Sequence, residues 1–197
     1  MGRSYTEGNL SFTFSNHWMV RKYDHHTFYQ GLSGAGLKGV DFIAVRPHQL
    51  LLVEVKNYRH VRNGRRRATV ARSLEDPQAI AESIARKGWD TLRAIKAIHT
   101  YYQRKLDYRL FAPLLHQFWW TWSDRSFWTH AAREAQSPST ATFLLWLATD
   151  PNDRNLAEDL RPILEADWNG RFGQVLITDQ TNLLEWGIQV RFREKEQ

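Results

Sequence analysis

The chain has 197 residues, with 27 lysines and arginines against 21 aspartates and glutamates, a formal net charge of +6, and no cysteine. That length suits one well-buried α/β domain over residues 1–197 rather than two, and the positive balance favours a polyanionic partner, nucleic acid first. Without cysteine there can be no disulfide, zinc–thiolate site, cysteine-held iron–sulfur cluster or cysteine nucleophile.

From the N-terminus, Leu10, Phe12 and Phe14 alternate with polar residues, and His17 to Tyr23 is a second strand-like stretch, so β structure is expected early in the chain. The first residues, Met1 to Glu7, lack the apolar core of a signal peptide. Gly31, Gly34, Gly36 and Gly39 then read as a flexible link. It is not a phosphate-binding loop, because no Gly-Lys-Ser/Thr follows, although Lys38 is placed to touch a DNA backbone. His25 and His26 are adjacent, so in a strand they would face opposite ways and could not share a metal.

Val40 to Val45 and Leu50 to Val55 are two short apolar runs around a turn that contains Pro47, which predicts a β-hairpin. Pairing Val45 with Leu50 and Arg46 with Gln49 sets Asp41 opposite Glu54 and Gly39 opposite Lys56. Residues so paired project to one face with Cβ atoms roughly 5 Å apart, and Lys56 shares that face by lying two residues beyond Glu54. Two ionised carboxylates about 5 Å apart repel by ~3 kcal/mol at an effective dielectric of 20. A divalent cation between them reverses that sign, and hard oxygen ligands suit Mg²⁺ or Mn²⁺. An exposed strand face with Glu54 paired to Lys56 or Arg46 would give a similar pattern by chance. Against it, Leu50 to Val53 are apolar at both parities, as in a strand covered on both faces, where a charge is costly unless paired or metal-bound.

The segment from Arg59 to Arg72 carries six arginines, Arg59, Arg62, Arg65, Arg66, Arg67 and Arg72, and no acid. It starts three residues past Lys56, and arginine forks grip phosphates, so DNA contact is favoured over a solvated loop. Asp76 as N-cap and Pro77 at the first helical position announce a long helix, with Ile80, Ile84, Gly88, Leu92, Ile95, His99 and Tyr102 on its buried stripe. Gln78 lies in its first turn. Residues 105–140 read as a Trp-rich helical elaboration, in which Phe118 to Trp122 and Phe127-Trp128 serve core packing, a subunit interface or base stacking.

Thr142 to Thr149 reads as a buried strand. Its apolar run, Phe143 to Ala148, is far short of the ~20 residues of a membrane helix, so a soluble cytoplasmic protein with no membrane contact is expected. Leu156 to Trp168 is predicted helical, bent or restarted at Pro162. Gln174 to Thr178 and Leu184 to Phe192, joined by a turn at Asp179 to Asn182, suggest a closing hairpin whose last strand buries Leu184, Trp186, Ile188, Val190 and Phe192.

Asp41, followed by Glu54-Val55-Lys56 at the end of the next strand, resembles the core motif of the PD-(D/E)XK nuclease superfamily. The continuation Lys56-Asn57-Tyr58 and the helix opening Asp76-Pro77-Gln78 are similar to its NERD-like and Holliday-junction-resolvase-like branches. The resemblance covers residues 38–102, and Val40 stands where the family usually has proline. It implies a restriction-endonuclease-like mixed β-sheet flanked by helices, here with an added β-hairpin and the Trp-rich elaboration. It further implies a Mg²⁺- or Mn²⁺-dependent DNA endonuclease that cleaves phosphodiester bonds and leaves a 5′-phosphate. Asp41, Glu54 and the main-chain carbonyl of Val55 would hold the metal, Lys56 would orient or help deprotonate the attacking water, and Gln78 would lie near the site. Many members add an acid from an N-terminal helix, for which Glu7 is a candidate and Asp24 a competitor. A second reading is a non-catalytic DNA-binding or assembly subunit of a DNA-processing, mobile-element or defence complex, working as a homodimer or beside a partner protein.

Overall fold

The computed structural model of the chain describes residues 2–24, 26–34, 36–59, 76–104, 123–149, 155–168 and 170–193. The strands are β1 (Arg3–Glu7), β2 (Leu10–Phe14), β3 (Met19–Lys22), β4 (Phe42–Arg46), β5 (Gln49–Asn57), β6 (Ala141–Ala148), β7 (Gln174–Thr178), β8 (Asn182–Leu183) and β9 (Ile188–Phe192). The helices are α1 (Thr27–Ser33), α2 (Pro77–Arg104), α3 (Asp124–Glu134) and α4 (Leu156–Trp168). Among the described residues no helix is long and apolar enough to cross a membrane.

The centre is a five-stranded mixed sheet in the order β3-β4-β5-β6-β7. β3, β4 and β5 pair antiparallel, and β6 and β7 continue in parallel. Parallel pairing of β5 with β6 requires a crossover, and the chain between those strands contains α2 and α3. The parity of the strands decides which layer each side chain joins. Ile43, Val45, Leu50, Leu52, Phe143 and Leu145 pack on the helical side with Ile84, Ile95, Trp128 and Leu160. Phe42, Ala44, Leu51, Val53, Leu144 and Trp146 pack on the other side with Leu10, Phe12, Phe14, Ile188 and Val190.

That second side corrects the expectation of a sheet flanked by helices. Its cover is a four-stranded antiparallel sheet, β1-β2-β9-β8. The cause lies in β2 and β9, whose alternation gives each one apolar face that needs a partner layer. The closing hairpin is likewise overturned. Gln174–Thr178 pairs in parallel with β6, and Ile188–Phe192 pairs with β2. Between them Leu184–Trp186 forms a 3-10 turn that leaves Leu184 80% exposed, and Phe192 at the strand end is exposed too, so of the expected buried face only Ile188 and Val190 are buried. The predicted glycine link, Gly31 to Gly39, begins inside a helix, Thr27–Ser33, and α4 runs through Pro162 as one helix.

The long helix begins as its cap dictates, with Asp76 Oδ1 accepting the Ala79 N–H at 3.0 Å. Its buried residues are Ile80, Ala81, Ile84, Ala85, Gly88, Asp90, Thr91, Ala94, Ile95 and Ile98, so the stripe passes through Thr91 and Ile98 rather than Leu92 and His99. Within the expected elaboration, residues 105–122 lie outside the described residues. Beyond them Phe127 and Trp128 are fully buried core side chains on α3, which leaves neither ring open for base stacking.

Candidate active site at the end of the central hairpin

The hairpin has the register that the turn predicts, Val45 opposite Leu50 and Arg46 opposite Gln49, and the ladder runs to Phe42 opposite Val53. Here regular pairing stops. Asp41 N–H donates to Val53 O at 3.0 Å, one residue out of step, and Val40 turns into the helical-side core with Ile43 and Val45. Val40 and Phe42 would share a face in a regular strand, so the parity changes at Asp41, as at a β-bulge. The expected face-on Asp41–Glu54 pair is thereby replaced. The Asp41 side chain takes the place of the missing backbone partner, and its Oδ2 accepts the Val55 N–H at 2.6 Å.

Glu54, on the helical side of β5, is fully buried. Its Oε1 accepts two ammonium groups, Lys56 Nζ at 2.9 Å and Lys87 Nζ at 2.7 Å. Its Oε2 is buried and has no hydrogen-bond partner. Burial pushes the Asp41 carboxyl up to about 7, and the charge of Glu54 adds to this. Lys87 and the Val55 N–H pull the other way, and Glu7 makes the smallest contribution. The phenol of Tyr58 is also pushed up, by burial and then by Glu54, with Lys87 opposing, which places this ring beside the same cluster. Tyr58 N–H donates to Ala148 O at 2.8 Å. Backbone groups alternate between neighbouring strands, so odd residues such as Val55 turn theirs toward β4, and the Val55 carbonyl is directed to the side where Asp41 lies.

Lys87 went unforeseen in the sequence. The available signal was its place on α2, three residues after Ile84 and four before Thr91, at the margin of the buried stripe. Gly88 brings the helix close. A Cβ there would meet Phe143 at 3.2 Å and the Trp168 ring at 3.3 Å, and this near approach to β6 lets the neighbouring lysine reach Glu54. Asp90 and Thr91 fasten the same turn to the strand entering the site, accepting the Lys38 and Val40 N–H groups at 3.1 Å each.

The remaining sequence candidates are dispersed. Glu7 belongs to β1, a strand rather than a helix, and its carboxylate sits 2.9 Å from Lys22 Nζ. Held there by Lys22, the Glu7 carboxylate still acts on the site through its charge, which adds a small upward push to the Asp41 carboxyl. Asp24 lies 3.9 Å from the same lysine. Gln78 is exposed, donates to Glu82 at 3.0 Å and borders a groove with Pro162 and Ile163 of α4. It precedes Lys87 by nine residues, about 13 Å along the helix axis. Among the described residues no three His, Cys, Asp or Glu side chains form a metal-binding group. A cation at Asp41 and Glu54 would therefore lean on the Val55 carbonyl, water and substrate oxygens.

Of the predicted DNA contacts, Lys38 is exposed. Arg59 is engaged, donating to Thr149 O at 3.0 Å and to Asp179 Oδ2 at 2.5 Å. Arg62, Arg65, Arg66, Arg67 and Arg72 lie outside the described residues. Compared with known proteins, the chain matches no family model, and no curated protein or solved structure is significantly similar to it.

Proposed function

We propose that the protein is a nuclease of restriction-endonuclease-like type that hydrolyses DNA phosphodiester bonds with Mg²⁺ or Mn²⁺. The observation that carries this reading is Glu54: a fully buried carboxylate with one oxygen held by two lysines and the other without a partner, beside an Asp41 whose ionisation burial opposes. Such an arrangement is costly for a fold and suits a hard divalent cation. The donor set fits. Asp41 and Glu54 supply anionic oxygens and Val55 a neutral one, and the bound cation would act as a Lewis acid on the phosphate.

The chain's own groups divide the remaining work. The Val55 N–H fixes the rotamer of Asp41, which leaves the other carboxylate oxygen for the cation. Lys56, about a quarter exposed while Glu54 is wholly buried, is the group that can reach outward to a phosphate oxygen or orient a water. The net charge of +6 supplies a sequence-independent attraction for the nucleic acid backbone.

The purified protein is expected to nick or cut plasmid or branched DNA when Mg²⁺ or Mn²⁺ is added. Asp41→Ala and Lys56→Ala should each lower cleavage roughly a hundredfold or more while DNA binding in gel-shift assays stays near wild type. Equal cleavage by all three proteins contradicts the assignment. Binding without any cleavage favours the non-catalytic subunit.

A further inference from the structure

We propose that Lys87 is a second lysine of this site, a positioning residue that holds Glu54 by one oxygen and sets the charge of the site for the transition state. The inference rests on the metal-dependent nuclease reading and extends it to a residue outside the strand motif.

Lys87 Nζ lies 2.7 Å from Glu54 Oε1, closer than Lys56 at 2.9 Å, and both contact the same oxygen. The Glu54 carboxylate is therefore clamped from the helix and from its own strand, with Oε2 left over. The clamp is built into α2. Gly88 permits the approach, and the Thr91 hydroxyl donates to Lys87 O at 2.7 Å while accepting the Val40 N–H at 3.1 Å, so lysine backbone, helix and site entrance form one connected unit.

Charge counting assigns the consequence. With both acids ionised, Asp41, Glu54, Lys56 and Lys87 sum to zero. A divalent cation makes the site doubly positive, which matches the doubly negative phosphorane-like transition state better than the singly negative phosphodiester. Without Lys87 the loaded site would be singly positive and would match the substrate instead. Lys87 thus opposes cation binding, as a like charge does, and favours the transition state over the ground state.

This predicts opposite changes in two measurements on the full chain. Lys87→Met should bind Mn²⁺ roughly tenfold more tightly than wild type by calorimetry. It should cleave plasmid DNA at least tenfold more slowly in kcat, with little change in KM. Lys87→Arg keeps the charge and should return Mn²⁺ affinity toward wild type and recover part of kcat. Lys87 faces a fully buried carboxylate, so Lys87→Met should also lower the melting temperature, and both measurements are made well below the unfolding transition of the variant. A Lys87→Met variant that loses Mn²⁺ affinity together with activity would show a merely structural role and overturn the proposal, as would one unchanged in both. If wild type binds Mn²⁺ but cuts no DNA, the nuclease reading fails while tighter binding by Lys87→Met still supports the opposition of lysine and cation. Absence of Mn²⁺ binding in both proteins overturns the proposal and the nuclease reading together.

Discussion

The central sheet presents two faces of different character. On the side covered by β1, β2, β8 and β9, Phe12 packs against Phe42 at 5.3 Å and Trp146 at 5.9 Å between ring centroids, and Phe14 meets Phe42 at 5.9 Å. On the side covered by helices, the apolar layer formed by Ile43, Leu50 and Leu52 gives way at the strand end to a buried glutamate, two lysines and an aspartate that burial resists ionising. The same strands build both. One face therefore stabilises the fold, whereas the end of the other holds groups that would be replaced by apolar ones if stability alone were selected.

The contrast can be broken from either side. Phe12→Ala removes a fully buried ring from the dry face, so unfolding free energy should fall by about 3–5 kcal/mol in urea titrations, with Mn²⁺ affinity unchanged in the folded protein. A loss below 1 kcal/mol would show that this face is not the stabilising layer.

At the charged end the sign should reverse. The folded pKa of Asp41, about 7, lies above its ordinary value of 3.8, so the stability tied to this group is fully present below pH 3.8 and is lost as pH rises through 7. Asp41→Asn keeps an acceptor for the Val55 N–H and has no charge to bury. It should be more stable than wild type at pH 8, by about 2–4 kcal/mol, and the advantage should shrink to nothing toward pH 4. Equal stability of the two proteins at pH 8 would mean that Asp41 is solvated enough to ionise freely.

Much of this arrangement was legible in the residues, and the exceptions have physical reasons. The hairpin register followed from turn length, and the burial of β5 on both faces followed from Leu50 to Val53 being apolar at either parity. The Asp76-Pro77 helix start followed from cap chemistry. What covered the second face did not, because alternating strands announce an apolar side without naming the layer that meets it. The change of parity at Asp41 was hidden for a related reason: a bulge depends on where one strand stops pairing, and here a side chain replaces a backbone partner. Lys87 lies far from the motif in sequence, and only the packing of α2 through Gly88 brings it to Glu54.

If Asp41 and Glu54 take up a divalent cation as proposed, that cation should stabilise the folded protein, and thermal unfolding reads the linkage. Thermal unfolding at pH 8 should be followed as MnCl₂ is added to wild type and to Asp41→Asn. A cation that binds only the folded state at a hundred times its Kd stabilises by about 2.7 kcal/mol. The wild-type melting temperature should climb with Mn²⁺ toward or past that of the variant, while Asp41→Asn starts higher and hardly responds. A wild-type melting temperature indifferent to Mn²⁺, or equal shifts in both proteins, would mean that no cation binds at Asp41.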